Sequence, residues 1–323
     1  MNMNNETENR TIYNGWLQPT GFPSLPQGWN SQWDTFPSSC GKLKLFSVVH
    51  HHEPWENHRA LVVLHGQGEH SGRYLHFPHY LQNQVDSIFC MDHRGHGRSE
   101  GGRGHADHFD LYVDDAAQFI EKVDQSLKKR FGKSEIHLLG HSMGGLIALR
   151  LSFLYPDLPI VSSIISAPLL GLALEVPLIK KTAAYALCKV WGSLQLSSGL
   201  DLSSLSHNRY VQEAYSADRL VHNKATPKFF VSLQEVMADT LARKNSLDLP
   251  LQMMIPLEDK LVSSDASLDF YQKLECDRKK LITYQGYRHE IFNEGGVAAA
   301  DGISKEIAFA DLNSWLETHH ASV

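Results

Sequence analysis

The sequence predicts an α/β fold, in which a mainly parallel central sheet carries helices on both faces and a helical cap insertion. Short apolar runs of the buried-strand type alternate along the chain with segments whose apolar residues recur at helical spacing. Glycine-rich and polar motifs follow several of these runs directly, at the sheet edge where ligands of such folds bind. The length of 323 residues suits one large domain with an insertion, or two small domains.

The first 37 residues are predicted to form an extended N-terminal arm, because they are rich in Pro, Asn, Gly and Ser. We do not expect full disorder there, because Trp16, Trp29 and Trp33 carry large rings that usually find an apolar surface. A strand is predicted next, and the run His50-His51-His52 after it is interpreted as a polar hairpin turn. A metal site is disfavoured, since three adjacent side chains cannot all face one ion.

The remaining elements follow from hydrophobic spacing. Strands are predicted over residues 43–49, 60–64, 87–91, 136–139, 161–165, 251–255 and 280–284. Helices are predicted over about 74–84, 109–130, 146–151, 228–243, 265–274 and 308–318. The alternation breaks between 170 and 227, which we interpret as a cap over the site. The predicted organisation is therefore an arm at 1–37, a core at 38–169 and 228–323, and a cap at 170–227.

Composition excludes several classes of protein. The net charge is −6, with 30 basic and 36 acidic residues, so no strong basic field predicts nucleic-acid binding. The four cysteines are widely scattered and are predicted to be free thiols. The N-terminus does not resemble a secretory signal, and no apolar run approaches the length of a membrane span. These features predict a cytoplasmic protein and leave open contact with a membrane surface.

The predicted site is centred on Gly140-His141-Ser142-Met143-Gly144, between a strand-like run and a helix-like run. That context is what a G-x-S-x-G nucleophile elbow requires, and it disfavours an incidental serine in a glycine-rich turn. The turn strains the serine backbone, and glycines on either side remove Cβ atoms that would clash there. We therefore predict Ser142 as the nucleophile, with the backbone N–H of Met143 as one oxyanion donor.

Several motifs together resemble the monoacylglycerol lipase and lysophospholipase group of the α/β-hydrolases. The similar stretches are His65 to Tyr74, Asp92 to Ser99, Gly140 to Gly145, Leu205 to Arg209, Ala214 to Asp218, Glu258 to Val262 and Tyr287 to Glu290. The resemblance covers about residues 38–319 and leaves the arm outside. It implies an α/β-hydrolase fold and a lipid ester as the substrate.

The histidine and the acid are sought in the chain order of this fold, which is serine, acid, histidine. Of the five histidines after Ser142, His289 is favoured, because it follows a predicted strand in a glycine-bounded loop. Asp259 follows the strand at 251–255, and the resemblance places the acid there; Asp265, which is predicted to cap the next helix, is the runner-up. The stretch Pro256-Leu257-Glu258 departs from the small residues usual in the group and puts the position of the acid in doubt.

The resemblance implies further site residues. The backbone N–H of Gln67 is expected to be the second oxyanion donor. The residues that match Glu69 and Arg73 lie near the polar head of the substrate in such lipases, although a salt bridge that fixes the oxyanion loop fits these residues equally well. Tyr215 in the cap is assigned to substrate binding.

Together these observations predict a serine esterase that cleaves monoacylglycerol or lysophospholipid through an acyl-enzyme, with no cofactor and no metal ion. Acyl transfer and hydrolysis of small esters are the alternatives on the same fold. A non-catalytic binding protein is a third hypothesis, which the intact candidate triad disfavours.

The apolar stretch at 170–200 has two interpretations. It packs on the core or on a dimer partner, or it lines an acyl tunnel and exposes a patch, including Leu174 and Ile179, to a lipid surface. The oligomeric state, the head group and the acyl length stay open.

Overall fold

A computed structural model describes residues 18–173, 176–243, 247–296 and 302–320. The strands are β1 Trp29–Pro37, β2 Lys44–His52, β3 Arg59–Leu64, β4 Ser87–Met91, β5 Glu135–His141, β6 Ser162–Ser166, β7 Leu196–Ser197, β8 Lys224–Ala225, β9 Leu251–Pro256 and β10 Lys279–Tyr284. The helices are α1 Phe77–Leu81, α2 Asp110–Phe131, α3 Met143–Leu154, α4 Leu178–Trp191, α5 Arg209–Ala217, α6 Pro227–Ala242, α7 Ser264–Lys273 and α8 Lys305–Thr318.

The described chain forms one eight-stranded sheet in the order β1-β2-β4-β3-β5-β6-β9-β10. Strands β3 to β6, β9 and β10 are parallel, and β2 runs antiparallel to both β1 and β4. Helices α2, α3, α6 and α7 contribute to the apolar core on one face, whereas α1 and α8 pack on the other. The α/β fold and the seven predicted strands are thereby confirmed, with each helix within a few residues of its predicted position.

The structure corrects the N-terminal arm. Residues from Trp29 to Pro37 form the edge strand β1, which pairs with β2. Trp29 and Phe36 are buried, while the residues between them are mostly exposed. An edge strand of this kind buries few of its side chains, so it lacks the continuous apolar run by which the central strands were recognised. The prediction for Trp16 lies outside the described residues.

The histidine triplet is also corrected. His50, His51 and His52 end strand β2, and His50 and His51 are buried. His50 contacts the Ser31 hydroxyl at 2.7 Å, and the His51 ring stacks on Trp55. Three polar residues in a row suggested a turn. The backbone is extended instead, because it pairs with β1 and β4 and neighbouring rings bury the side chains.

The segment predicted as a cap carries α4, α5 and the small antiparallel sheet of β7 and β8, all outside the main sheet. Hydrogen bonds tie its far end to the core, from the N–H of His222 to the carbonyl of Gly68 (2.9 Å) and from the N–H of Thr226 to that of Gly104 (3.0 Å). The domain boundaries themselves stay a prediction. No helix in the described part of the chain is long and apolar enough to cross a membrane.

Candidate active site

Ser142 lies in a strained turn between β5 and α3. Its φ is +55° and its ψ is −114°, values that a residue with a side chain rarely adopts. The close approach at this turn explains both glycines. A Cβ on Gly140 would overlap the carbonyl oxygen of Gly144, and a Cβ on Gly144 would overlap that of Leu64. The serine therefore stands at the carboxyl end of β5, with the N-terminus of α3 directly behind it.

His289 and Asp259 form a buried pair. The loop after β9 carries Asp259, and the loop after β10 carries His289, whose Nδ1 lies 2.6 Å from the carboxylate Oδ2. The other carboxylate oxygen accepts the backbone N–H groups of Leu261 (2.8 Å) and Val262 (3.0 Å). These bonds orient the carboxylate, which in turn holds the imidazole in one orientation.

Burial and charge act in opposite directions on the pKa values of this pair. Burial lowers the pKa of His289, but the negative charge and hydrogen bond of Asp259 outweigh it and raise that pKa above its usual value. Burial raises the pKa of Asp259, but the charge and hydrogen bond of His289 outweigh it and lower that pKa. The carboxylate is thus ionised, and the site is built to stabilise a protonated imidazole.

The acid loop is held in place despite its proline. Pro256 ends β9, paired with Tyr284 of β10. Beyond it, the N–H of Leu257 donates to the carbonyl of Tyr284 (3.0 Å), and the N–H of Glu258 donates to that of Tyr287 (3.1 Å). Strand pairing thus continues through the unusual stretch and delivers Asp259 to the histidine. The alternative acid, Asp265, is exposed in the first turn of α7 and does not cap that helix, whose N-cap is Ser263.

The oxyanion loop passes directly beside the nucleophile. A Cβ on Gly66 would lie 3.1 Å from the Cβ of Ser142. The side chain of Gln67 fixes the loop, because its Nε2 donates to the carbonyl of Lys224 (3.1 Å) and its Oε1 lies 3.2 Å from His96 Nε2. Met143 is the buried first residue of α3. Both predicted backbone donors therefore lie in segments that border Ser142.

A buried ion-pair cluster lies behind this loop. Arg73 Nη1 donates to Glu69 (2.8 Å) and to Glu290 Oε1 (2.6 Å), and its Nη2 donates to Glu290 Oε2 (2.7 Å). The second oxygen of Glu69 accepts the N–H of Gly66 at 2.9 Å. The guanidinium thus connects the oxyanion loop to the residue next to His289. This geometry favours the salt-bridge interpretation of Glu69 and Arg73 over direct contact with a substrate head group.

Glu290 is the member of the cluster that sequence reasoning missed. Burial raises its pKa, but the charge and bidentate hydrogen bonds of Arg73 outweigh it and lower that pKa to about 2. The available signal was its position beside His289 in the motif Tyr287 to Glu290. The motif did not reveal the partner of Glu290, because Arg73 lies far away in the sequence.

Tyr215 covers the cluster from the cap. Its ring lies over the Arg73 guanidinium, 4.9 Å from Cζ to the ring centroid. Its hydroxyl is buried and lacks a hydrogen-bond partner among the residues that the structure describes. A pocket lined by Arg73, Tyr215, Val211 and Asn293 adjoins it.

The family model described as serine aminopeptidase S33 matches residues 56–296. The chain is 30% identical to the monoglyceride lipase of Mus musculus over 238 residues, 73% of this chain and 77% of the relative. It is 29% identical to the phospholipase YtpA of Bacillus subtilis over 236 residues, 73% of this chain and 89% of the relative.

Solved structures agree with this fold. A crystal structure of the monoacylglycerol lipase of Paleococcus ferrophilus superposes with a TM-score of 0.70 and 25% identity, covering 90% of this chain and 99% of that chain. A soluble variant of the Saccharomyces cerevisiae monoglyceride lipase, in complex with a substrate analogue, gives a TM-score of 0.77 at 22% identity, covering 94% and 98%.

The first prediction separates the two candidate acids. Asp259→Asn should reduce kcat by on the order of 10⁴, because an amide neither stabilises the imidazolium nor holds the productive tautomer. The matched control Asp265→Asn should stay within about twofold of the native enzyme, since an exposed position in a helix first turn contributes little. Steady-state rates on a p-nitrophenyl ester measure both. Equal losses would show that Asp259 is not the partner of His289.

The second prediction concerns pH. Since the pKa of His289 is raised, its neutral form dominates only above that pKa. Plotted against pH, kcat/KM should therefore fall as pH decreases through a midpoint above the usual histidine value of about 6.5. Removing the charge in Asp259→Asn should move the midpoint of the residual activity to lower pH. A midpoint that does not move would indicate that another group controls the acid limb.

Proposed function

The chain belongs to the serine aminopeptidase S33 family, in the monoacylglycerol lipase and lysophospholipase group of the α/β-hydrolases, and we propose that it hydrolyses the ester bond of single-acyl lipids. The observation that carries the proposal is the 2.6 Å pairing of His289 with Asp259 on the same sheet edge as the strained Ser142. The names of its relatives support a lipid ester as the substrate.

In the proposed reaction, Asp259 occupies Nδ1 of His289, which leaves Nε2 to take the proton of Ser142. The serine oxygen attacks the ester carbonyl, and the backbone N–H groups of Met143 and Gln67 stabilise the tetrahedral oxyanion. The imidazolium then protonates the leaving alcohol, and an acyl-serine remains. Water repeats the sequence, with His289 again as the base, and releases the fatty acid.

A mostly apolar cavity begins one residue after Leu169, which contacts the nucleophile. The N–H of Leu169 donates to the carbonyl of Ser142 at 3.0 Å, and the chain runs from there into the wall of a cavity of about 260 Å³. Its lining is mostly apolar and comprises Leu170, Gly171, Leu172, Val176, Lys181, Gln234, Met237, Ala238 and Leu241. Helix α6 and the segment before α4 thus form a groove suited to an alkyl chain.

We further propose that helix α4 touches a lipid surface. Leu178 and Ile179 are each 79% exposed, and Val190 and Trp191 are 87% and 59% exposed. Packing on the core of the same chain therefore does not account for these side chains. Apolar side chains grouped on an amphipathic helix beside the groove fit the headgroup region of a membrane. Leu174, the other residue predicted for this patch, lies outside the described residues.

The proposed activity is tested by offering monoacylglycerols of increasing acyl length, lysophosphatidylcholine and short p-nitrophenyl esters in parallel. Rates per enzyme should rise from short to long acyl chains, because each buried methylene contributes about 0.8 kcal/mol. Ser142→Ala should lose on the order of 10⁶ in kcat on every active substrate. Flat chain-length dependence would favour a small-ester hydrolase. Acylated products with added alcohols or thiols, at the expense of fatty acid, would favour acyl transfer.

The surface proposal is tested by Ile179→Asp. Vesicle binding measured by co-sedimentation should weaken roughly tenfold or more, because burying an isoleucine side chain contributes about 1.5–3 kcal/mol. Turnover of a short soluble ester should be unchanged. The matched control is Ile307→Asp, which changes an exposed isoleucine on α8, outside the predicted cap segment. Equal vesicle binding by the native protein and both variants would refute a contact through α4.

A further inference from the structure

Three potential metal ligands meet at the sheet edge opposite the nucleophile. Glu135 begins β5 and His137 follows two residues later, so both side chains lie on one face of the strand. His320 reaches them from just beyond the end of α8. One ligand atom from each residue lies within 4.8 Å of the others. Ser142 comes seven residues after Glu135, about 23 Å along the strand, so this cluster is separate from the candidate active site.

His137 has one ring nitrogen anchored and the other without a partner. Its Nδ1 lies 2.8 Å from the Ser162 hydroxyl, which also accepts the indole N–H of Trp315 at 3.0 Å. Its Nε2 is buried, lacks a hydrogen-bond partner among the described residues and faces Glu135 Oε1 at 3.5 Å. Two ligands of a tetrahedral zinc ion lie about 3.3 Å apart, given zinc distances of about 2.0–2.1 Å to nitrogen and oxygen. The separation therefore fits an ion between them.

His320 is arranged in the same manner. Its Nε2 lies 3.2 Å from the side-chain oxygen of Gln84, and in the tautomer whose Nε2 N–H donates to that oxygen, Nδ1 is the ring nitrogen left to bind an ion. The lone pair on Nδ1 then faces Glu135 Oε1 at 2.7 Å. A lone pair and a carboxylate need either a proton or a metal ion between them. Anchoring the non-ligating nitrogen of each histidine is what outer hydrogen bonds do in metal sites.

We propose that Glu135, His137 and His320 bind a zinc ion, with water as the fourth ligand. Two imidazoles and one carboxylate are a ligand set that zinc favours, and a site with three protein ligands leaves one position open. The side chain of His320 is 23% exposed, which provides the route by which the ion and the water enter. The ion would join the end of α8 to the start of β5. It would act as a structural clip and takes no part in ester hydrolysis.

The test uses the full-length chain, dialysed against a chelator and titrated with Zn²⁺ by calorimetry. One equivalent should bind, and the melting temperature should rise with free zinc, because the ion binds the folded state. His320→Gln and Glu135→Gln should each weaken binding by roughly tenfold or more. The matched control His319→Gln changes the neighbouring histidine, which stacks on Trp315, and should bind as the native chain does.

His320→Gln should keep the native esterase rate, which shows that it is folded, since His320 follows the last helix and lies far from Ser142. Substitution by Co²⁺ should give the visible absorption of a tetrahedral site in the native chain and in His319→Gln. The proposal would be overturned if zinc binding did not saturate up to about 100 µM free zinc. An ion bound more weakly than that would add little stability to the fold, because stabilisation depends on zinc concentration divided by the dissociation constant. Equal affinity in the native chain and His320→Gln would overturn it as well, because the ion would then occupy other histidines.

Discussion

The strained turn at Ser142 is the constraint on which the site depends. The serine keeps its positive φ because its backbone is held on both sides: its N–H donates to the carbonyl of Ser166 (2.9 Å), and its carbonyl accepts the N–H of Leu169 (3.0 Å). Strand β6 and the segment after it thus clamp the turn between β5 and α3. Because Gly144 packs against the end of β3, the same turn fixes where the oxyanion loop begins. A conformation that costs about 1–3 kcal/mol persists only with such support.

The charges around this turn are balanced by contacts from distant parts of the chain. Asp259 stabilises positive charge on His289, and the Arg73 guanidinium pairs with the carboxylates of Glu69 and Glu290 nearby. The His141 ring is tilted against the ring of His289, with the two centroids 4.7 Å apart, and burial together with the charge of His289 lowers the pKa of His141 to about 3. Because His141 is neutral, no positive charge on this neighbouring ring opposes protonation of His289.

The cap is joined to both loops that frame the candidate site. Its β8 end holds Gln67 and Gly68 of the oxyanion loop. Its middle holds the histidine loop, where Glu294 accepts the N–H groups of Arg288 (2.8 Å) and His207 (2.9 Å), and the N–H of Glu290 donates to Leu205 (2.8 Å). A change in the cap therefore acts, through these hydrogen bonds, on the loops that carry Gln67 and His289.

The sequence by itself determined what local patterns encode. Continuous apolar runs identified the buried strands, and residue spacing around Ser142 identified the elbow, because both depend on contacts a few residues apart. The order of the chain was enough to favour His289. Tertiary structure decided what depends on distant partners. It paired Asp259 rather than Asp265 with the histidine through strand contacts across Pro256, joined Arg73 to Glu290, and turned Trp29 to Pro37 into an edge strand. Each of these contacts joins two separate segments of the chain. The spacing of residues within one segment does not specify which residue of another segment will pack against it.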